Sequence, residues 1–200
     1  AVANFTNMTV SKITTQTVEV ITGGLVTTTL ADTTGTSDSI TVNLNTVKAD
    51  KAAAQTIADL NLGTGVETLN LSSNGMKAVK PGVNAGVAKT LSAISGDTAL
   101  KTLVITGSSD LVISDHATDN TRLQTIDASA FTGNLTLSDT VSGAFGAQTI
   151  TTGSGNDTIV FGANLTSTDV VDMGGNTMTV FFTGGVDTLT ADVANRGTAA

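Results

Sequence analysis

The chain has no cysteine, no tryptophan and no tyrosine, and its only proline is Pro81. Without cysteine, neither a disulfide nor a thiolate metal site can hold the fold together. Aromatic residues make up only 3% of the chain, so we expect a core of Val, Leu, Ile, Ala and Thr arranged in thin, regular layers. No run of about eighteen apolar residues occurs, and the sequence therefore predicts no membrane-spanning helix.

Basic residues and glutamate are also scarce. Nine Lys and Arg stand against seventeen acidic residues, which gives a net charge of −8 and argues against a nucleic-acid partner. Fifteen of the acidic residues are Asp, whose short side chain favours turns. Positions 110 to 192 hold ten of them and one basic residue, Arg122. This segment predicts neutralisation by bound cations, with a merely solubilising acidic surface as the alternative.

What the chain does have is many glycines, twenty-one in all, and one glycine-rich stretch predicts a calcium-binding turn followed by a strand. It is T-G-S-G-N-D-T-I-V, residues 152–160. Gly153 and Gly155 allow backbone angles that other residues resist, so that carbonyls can point at an ion while Asp157 adds a carboxylate. The stretch matches the repeat x-G-x-G-x-D-x-U-x of calcium-binding β-helices.

A repeated strand pattern surrounds this turn. Segments that open with Thr and an aliphatic residue begin at Thr68, Thr102, Thr125 and Thr149, and the last three are 23 and 24 residues apart. A second strand follows each of the last three, at 110–113, 134–137 and 157–160. A period in the low twenties is typical of solenoids, in which successive turns of chain stack in parallel. The sequence therefore predicts an all-β fold, a parallel β-helix or β-solenoid.

The rest of the chain is divided as follows. Residues 1–65 are predicted to be an irregular, β-rich start of the solenoid with a short helix near 50–60, and residues 66–195 to hold the regular turns. An insertion loop is expected near 77–90, where Lys77, Lys80 and Lys89 form a candidate contact surface, with a solvated loop as the alternative. Residues 196–200 form a tail. The start at Ala1, without Met, suggests a piece of a longer protein.

The remaining candidate calcium ligands are oxygen-bearing residues in or near turns. Stacking of successive turns predicts that Asp157 shares an ion with Asp172, Gly174 and Asn176. Asp110 and Asp127 are candidates for a second site, together with Asp115 and Asp119, and Asp187 is a weaker candidate. Each of the second-site aspartates has an alternative role, because Asp also caps turns by hydrogen bonding to its own backbone.

Four phrases of the chain, in order, resemble the C-terminal part of Caulobacter-type, RTX-containing bacterial surface-layer proteins: T-S-D-S-I at 36–40, G-V-E-T-L-N-L at 65–71, L-Q-T-I-D-A-S-A at 123–130 and G-S-G-N-D-T-I at 153–159. Related phrases occur in large secreted RTX-like adhesins. The resemblance covers roughly residues 36–190. It implies a right-handed β-solenoid with RTX-like turns that binds Ca²⁺, leaves the cell by type I secretion and assembles laterally with copies of itself.

A catalytic role is not expected. The single histidine, His116, has no evident triad or zinc partners. Polysaccharide-cleaving β-helix enzymes usually need a basic residue and an aromatic or acidic substrate groove, and a chain with nine Lys and Arg, no Tyr and no Trp offers little material for them. The resemblance therefore implies a structural, extracellular surface-layer module on the cell surface, and the sequence predicts no insertion into the membrane. Cell-surface polysaccharide is a further candidate partner, through other parts of the protein. The alternative is an adhesin or biofilm-matrix module that binds glycans or cells.

Overall fold

A computed structural model describes residues 5–13, 17–20, 23–45, 55–74, 89–96, 98–116, 120, 122–138, 147–162, 165–174 and 177–182. These residues form sixteen β-strands and no helix. No part of the described chain provides a helix that could cross a membrane. The strands are β1 (Phe5–Ile13), β2 (Thr17–Val20), β3 (Gly23–Leu30), β4 (Ser39–Asn45), β5 (Gln55–Asn61), β6 (Thr68–Asn74), β7 (Lys89–Leu91), β8 (Ile94–Ser95), β9 (Thr102–Gly107), β10 (Leu111–Ile113), β11 (Thr125–Asp127), β12 (Leu135–Ser138), β13 (Thr149–Thr152), β14 (Asn156–Gly162), β15 (Val170–Met173) and β16 (Thr177–Phe182).

The strands lie in two sheets in which every neighbouring pair is parallel. The first sheet has the order β1-β3-β5-β7-β10-β12-β14-β16, with β8 also paired to β5, and the second has the order β15-β13-β11-β9-β6-β4-β2. Apart from β7 and β8, consecutive strands alternate between the two sheets, so each strand pairs with a strand of the preceding turn of chain. The prediction of an all-β protein with parallel strands is confirmed.

The predicted repeat is present in the strand register. Thr68 pairs with Thr102, Thr102 with Thr125, and Thr125 with Thr149. The 23- and 24-residue spacings are therefore the distance along the chain from one strand to the next in the second sheet. The longer step from Thr68 to Thr102 contains the connection between β6 and β7.

The hydrophobic core lies between the sheets because the strands alternate apolar and polar residues. From Thr68 to Ser73 in β6 and from Thr102 to Thr106 in β9, half-buried and buried residues alternate. One inward column in the second sheet is made only of aliphatic residues, each at most 1% exposed: Ile40, Leu69, Leu103, Ile126 and Ile150. Burial of each such side chain contributes about 1.5–3 kcal/mol, so the core is a sum of small, equivalent layers.

Two local predictions are wrong. A helix was expected near 50–60, but residues 55–60 belong to strand β5, which pairs with β3 and β7. Residues 50–54 lie outside the described part. The loop expected near 77–90 does not include its last two residues, because Lys89 and Thr90 belong to β7. In both segments the pairing strands decide the structure and override the local preference of the sequence.

Lys89 is buried, in contrast to the exposed contact surface predicted for it. Its side chain is 1% exposed, and its ammonium group donates hydrogen bonds to the carbonyls of Leu44 and Asn74, near or at the ends of β4 and β6. Burial lowers the pKa of Lys89 to about 8. Lys89 is therefore a cap for two strand ends of the opposite sheet. Lys77 and Lys80 lie outside the described residues.

Candidate functional site: a corner between the two sheets

The candidate site lies where the chain passes from the second sheet to the first. We call these connections the corner segments: 108–110, 128–134, 153–155 and 174–176, of which only Gly174 is described in the last. They stack on one another. The Thr132 N–H donates over 2.9 Å to the carbonyl of Gly107, the residue just before the first corner segment, and the Ser154 N–H donates to the Phe131 carbonyl over 3.1 Å.

Gly153 and Gly155 are required by the close approach of these corner segments. A Cβ atom added to Gly153 would lie 1.7 Å from the carbonyl oxygen of Phe131, and one added to Gly155 would lie 2.0 Å from that of Gly133. Neither glycine has a φ angle in the left-handed region. The reason for glycine at both positions is thus steric contact with the backbone of the preceding corner, and the expected need for unusual backbone angles is not the cause.

Asp157 faces the interior, one position away from the alignment that the sequence suggested. The segments starting at Asp110, Asn134 and Asp157 were expected to be equivalent. The register instead pairs Thr136 with Thr158, which aligns Asn134 with Asn156 and Leu135 with Asp157. Because side chains alternate between the two faces of a sheet, this shift of one residue places the Asp157 carboxylate inside, where the preceding strands have leucines.

The Asp157 carboxylate is only partly satisfied. Its side chain is 2% exposed, and its Oδ1 accepts a 2.9 Å hydrogen bond from the Leu135 N–H. Its Oδ2 is buried and has no hydrogen-bond partner. At the other end of the same corner segment, Thr152 is 2% exposed and its Oγ1 is also buried without a partner. Two unpaired oxygen atoms therefore flank Gly153–Gly155 on the interior side.

Asp110 takes part in a ladder along the outside of the corner. Its Oδ1 accepts a hydrogen bond from the Asn134 N–H, and the Asn134 Oδ1 accepts one from the Asn156 N–H, both at 2.9 Å. Each side-chain oxygen thus holds the backbone of the next turn of chain. Asp110 has a stacking role here, and the second calcium site predicted for it stays a prediction.

Asp127 has the alternative role that the sequence left open, because it caps a turn. Its Oδ1 accepts hydrogen bonds from the Ser129 hydroxyl at 2.6 Å and from the Ser129 N–H at 3.0 Å. These two bonds, the hydroxyl first, lower the pKa of Asp127 because they stabilise the charged form. Asp32 makes the same pair of bonds with Thr34.

Asp172 is not brought to the interior side of the corner. It lies on β15 opposite Thr151, and its side chain is exposed, whereas its neighbours Val171 and Met173 pack against the core. Gly174 lies over the preceding corner, where an added Cβ would be 3.3 Å from the Thr152 carbonyl oxygen. Asn176, Asp119 and Asp187 lie outside the described residues. Among the residues that are described, no three His, Cys, Asp or Glu side chains are grouped closely enough to hold a metal ion.

His116 belongs to the core and lies outside the corner segments. It is 1% exposed, and neither ring nitrogen has a hydrogen-bond partner of proper geometry. Burial lowers its pKa to about 4, against smaller raising effects of Asp115 and of the Ser138 backbone. Its carbonyl accepts a 2.8 Å hydrogen bond from the Asn120 side chain. His116 is therefore a buried core residue.

Thr152 is the site residue that the sequence did not single out. The signal that could have found it is the alternation of β13, in which Ile150 and Thr152 share the inward face. A hydroxyl on that face, next to the glycine-rich corner, differs from the aliphatic residues that precede it.

Comparison of the chain with protein-family models, with curated proteins and with solved structures finds no match. The class defined by the described residues is an all-β protein with parallel strands in two sheets.

Proposed function

We propose that this chain is a calcium-stabilised, right-handed parallel β-solenoid module of an extracellular bacterial surface layer. The proposal rests on one observation: the strands lie in two wholly parallel sheets, and from Thr102 to Val170 the paired positions of the second sheet are 23, 24 and 21 residues apart. A repeating stack of this kind builds a stiff, extended body with equivalent surfaces. Such a body suits a structural role.

Calcium binding is supported by the carboxylate that replaces leucine in the inward column. Burial of a charge is costly unless it is paired, and the Oδ2 of Asp157 has no partner. The nearest basic residue of that column is Lys89, three strands away and therefore about 14 Å distant at the usual strand spacing. Asp157 would hold a calcium ion with Oδ2, and Gly153 and Gly155 would add carbonyl oxygens. The ion would neutralise the carboxylate and tie the corner to β14.

Lateral assembly with copies of the chain is supported by the character of the surface. Among the residues whose side-chain burial the structure describes, Val170, 57% exposed, is the one large hydrophobic residue that is exposed. Residues 106–200 carry ten Asp and two Arg, which accounts for the whole net charge of −8. Contacts between such acidic, polar surfaces need cations to offset repulsion. Calcium would then serve both folding and assembly.

The test is removal and return of calcium. Purified chain is dialysed against chelator and then titrated with CaCl₂, with MgCl₂ at equal ionic strength as the control. We expect calcium alone to raise the midpoint of thermal unfolding, measured by circular dichroism, and to produce ordered two-dimensional arrays in electron micrographs. Equal responses to calcium and magnesium, or no response to either, would contradict the proposal.

The alternative, a secreted adhesin or biofilm-matrix module, shares the solenoid and the calcium. It would stay monomeric in calcium and bind glycans or cells. Light scattering of the calcium-loaded chain, followed by a glycan-binding assay on the monomer, separates the two functions.

A further inference from the structure

We infer that the Thr152 hydroxyl is a second side-chain ligand of a cation held by Asp157, and that this ion lies on the interior side of the corner 153–155. The inference rests on the proposed calcium binding and adds a ligand to it. It also excludes Asp172, which the sequence predicted as a ligand of the same ion.

The first argument is the condition of the Thr152 hydroxyl. Oγ1 is buried, on a residue 2% exposed, and has no hydrogen-bond partner. A hydroxyl buried without a partner is destabilising, so a valine of the same shape would be favoured at a position with only a packing role. A bound ion supplies the missing partner.

The second argument is the position of Thr152 relative to Asp157. Thr152 is the last residue of β13 and Asp157 the second residue of β14, so both border the same corner. Both side chains are buried, and each carries one unpaired oxygen. A hydroxyl and a carboxylate oxygen, together with backbone carbonyls, form the all-oxygen ligand set that calcium prefers.

The third argument concerns Asp172, which the stacking of turns had placed at the same ion. It is exposed and points away from the core, on the outward face of β15. The unpaired oxygen of Asp157 points to the interior. The second sheet, to which β15 belongs, therefore separates the Asp172 carboxylate from the Asp157 carboxylate.

A buried water molecule is the competing occupant. It could bond to both oxygens, but it would leave the charge of Asp157 without a counter-ion. If a cation is bound to Thr152, loss of the hydroxyl lowers the affinity for the metal. If a water molecule occupies the position, it does not.

The experiment compares calcium affinity by isothermal titration calorimetry in the whole chain and four variants: Thr152→Val, Thr152→Ser, Asp172→Asn and the matched control Thr151→Val. Thr151 is the neighbouring residue on the opposite, half-buried face of β13. We expect Thr152→Val to weaken binding about tenfold or more, while the other three variants stay close to the original affinity. A second readout is the europium luminescence lifetime in H₂O and D₂O, which counts metal-bound waters. Thr152→Val should add one water.

Folding is checked separately in chelator. Apo Thr152→Val should melt no lower than the original chain, because the lost hydroxyl had no partner. A fifth variant, Asp157→Asn, tests the proposed calcium ligand itself. Unchanged affinity and an unchanged water count in Thr152→Val, with binding lost in Asp157→Asn, would overturn the inference and leave the calcium function standing. Weaker binding in Asp172→Asn would overturn the exclusion of Asp172. No calcium binding by the original chain would overturn the inference and the calcium function together.

Discussion

Replacement of Gly153 by alanine should destabilise the protein through backbone contact alone. The new Cβ would lie 1.7 Å from the Phe131 carbonyl oxygen and 2.9 Å from that of Ala128. Both obstructing atoms belong to the backbone of the preceding turn of chain, so no side chain can rotate away. The corner must therefore move outward by more than 1 Å to reach an ordinary contact distance.

The magnitude follows from the hydrogen bonds that such a movement disturbs. The Ser154 N–H bond to the Phe131 carbonyl is 3.1 Å long, and the Leu135 N–H bond to Asp157 is 2.9 Å long. Each contributes about 1 kcal/mol, and a bond to a charged group about 1.5–3 kcal/mol. We expect a loss of about 2–4 kcal/mol, which corresponds to a fall of roughly 5–15 °C in the unfolding midpoint for a domain of this size.

The matched control is Gly174→Ala, the same substitution in the next corner segment. Its Cβ would be 3.3 Å from the Thr152 carbonyl oxygen and 3.5 Å from that of Gly153, so a shift of a few tenths of an ångström accommodates it. Unfolding is followed by circular dichroism in urea, because the chain has no Trp or Tyr for fluorescence. The measurement is made in chelator, so that calcium does not contribute.

An equal loss in both variants, or none in Gly153→Ala, would refute the steric reasoning. A loss in Gly153→Ala that appears only with calcium present would assign the glycine to metal binding instead.

Two further predictions concern ionisable groups. The pKa of Lys89 falls from 10.5 to about 8 in the folded protein. Between these pH values the unfolded chain binds a proton that the native state does not. The free energy of unfolding should therefore rise with pH, by at most about 3 kcal/mol. Urea unfolding at pH 7.5 and 10.5 measures the rise, and a rise of the same size in Lys89→Met would contradict it. The pKa of Asp127 is lowered, so its stabilising contribution should be complete above pH 3.8 and lost as the pH falls through the folded pKa. Asp127→Ala should cost about 1 kcal/mol at pH 7 and less at pH 2.5, and a cost that does not change with pH would assign it to packing.

The sequence predicted the parallel strands because their signal is repeated. Thr102, Thr125 and Thr149 each start a strand at nearly equal spacing, and the structure pairs them directly. The helix near 50–60 was wrong because one segment, considered alone, gives only a local preference, whereas β5 is determined by its partners β3 and β7. The sequence could not predict the burial of Lys89 for the same reason. Its partners are carbonyls of Leu44 and Asn74, and no side-chain pattern marks a carbonyl.

The error at Asp157 is the most informative one, because a shift of a single residue changes the chemistry of the site. Aligned with Asp110 and Asn134, Asp157 would be an outward residue able to meet Asp172 on a neighbouring turn. In the observed register it follows Leu111 and Leu135 in an inward column, where Ile159 and Phe161 occupy the next inward positions of its own strand. One oxygen of this carboxylate accepts a hydrogen bond from the Leu135 N–H, whereas Oδ2 is buried without a partner, and it is Oδ2 that calls for a partner inside the corner. The observed register therefore argues against Asp172 as a calcium ligand and supports Asp157 as a candidate. It directs the search for the remaining ligands to Thr152 and to the carbonyl groups between Thr152 and Asp157.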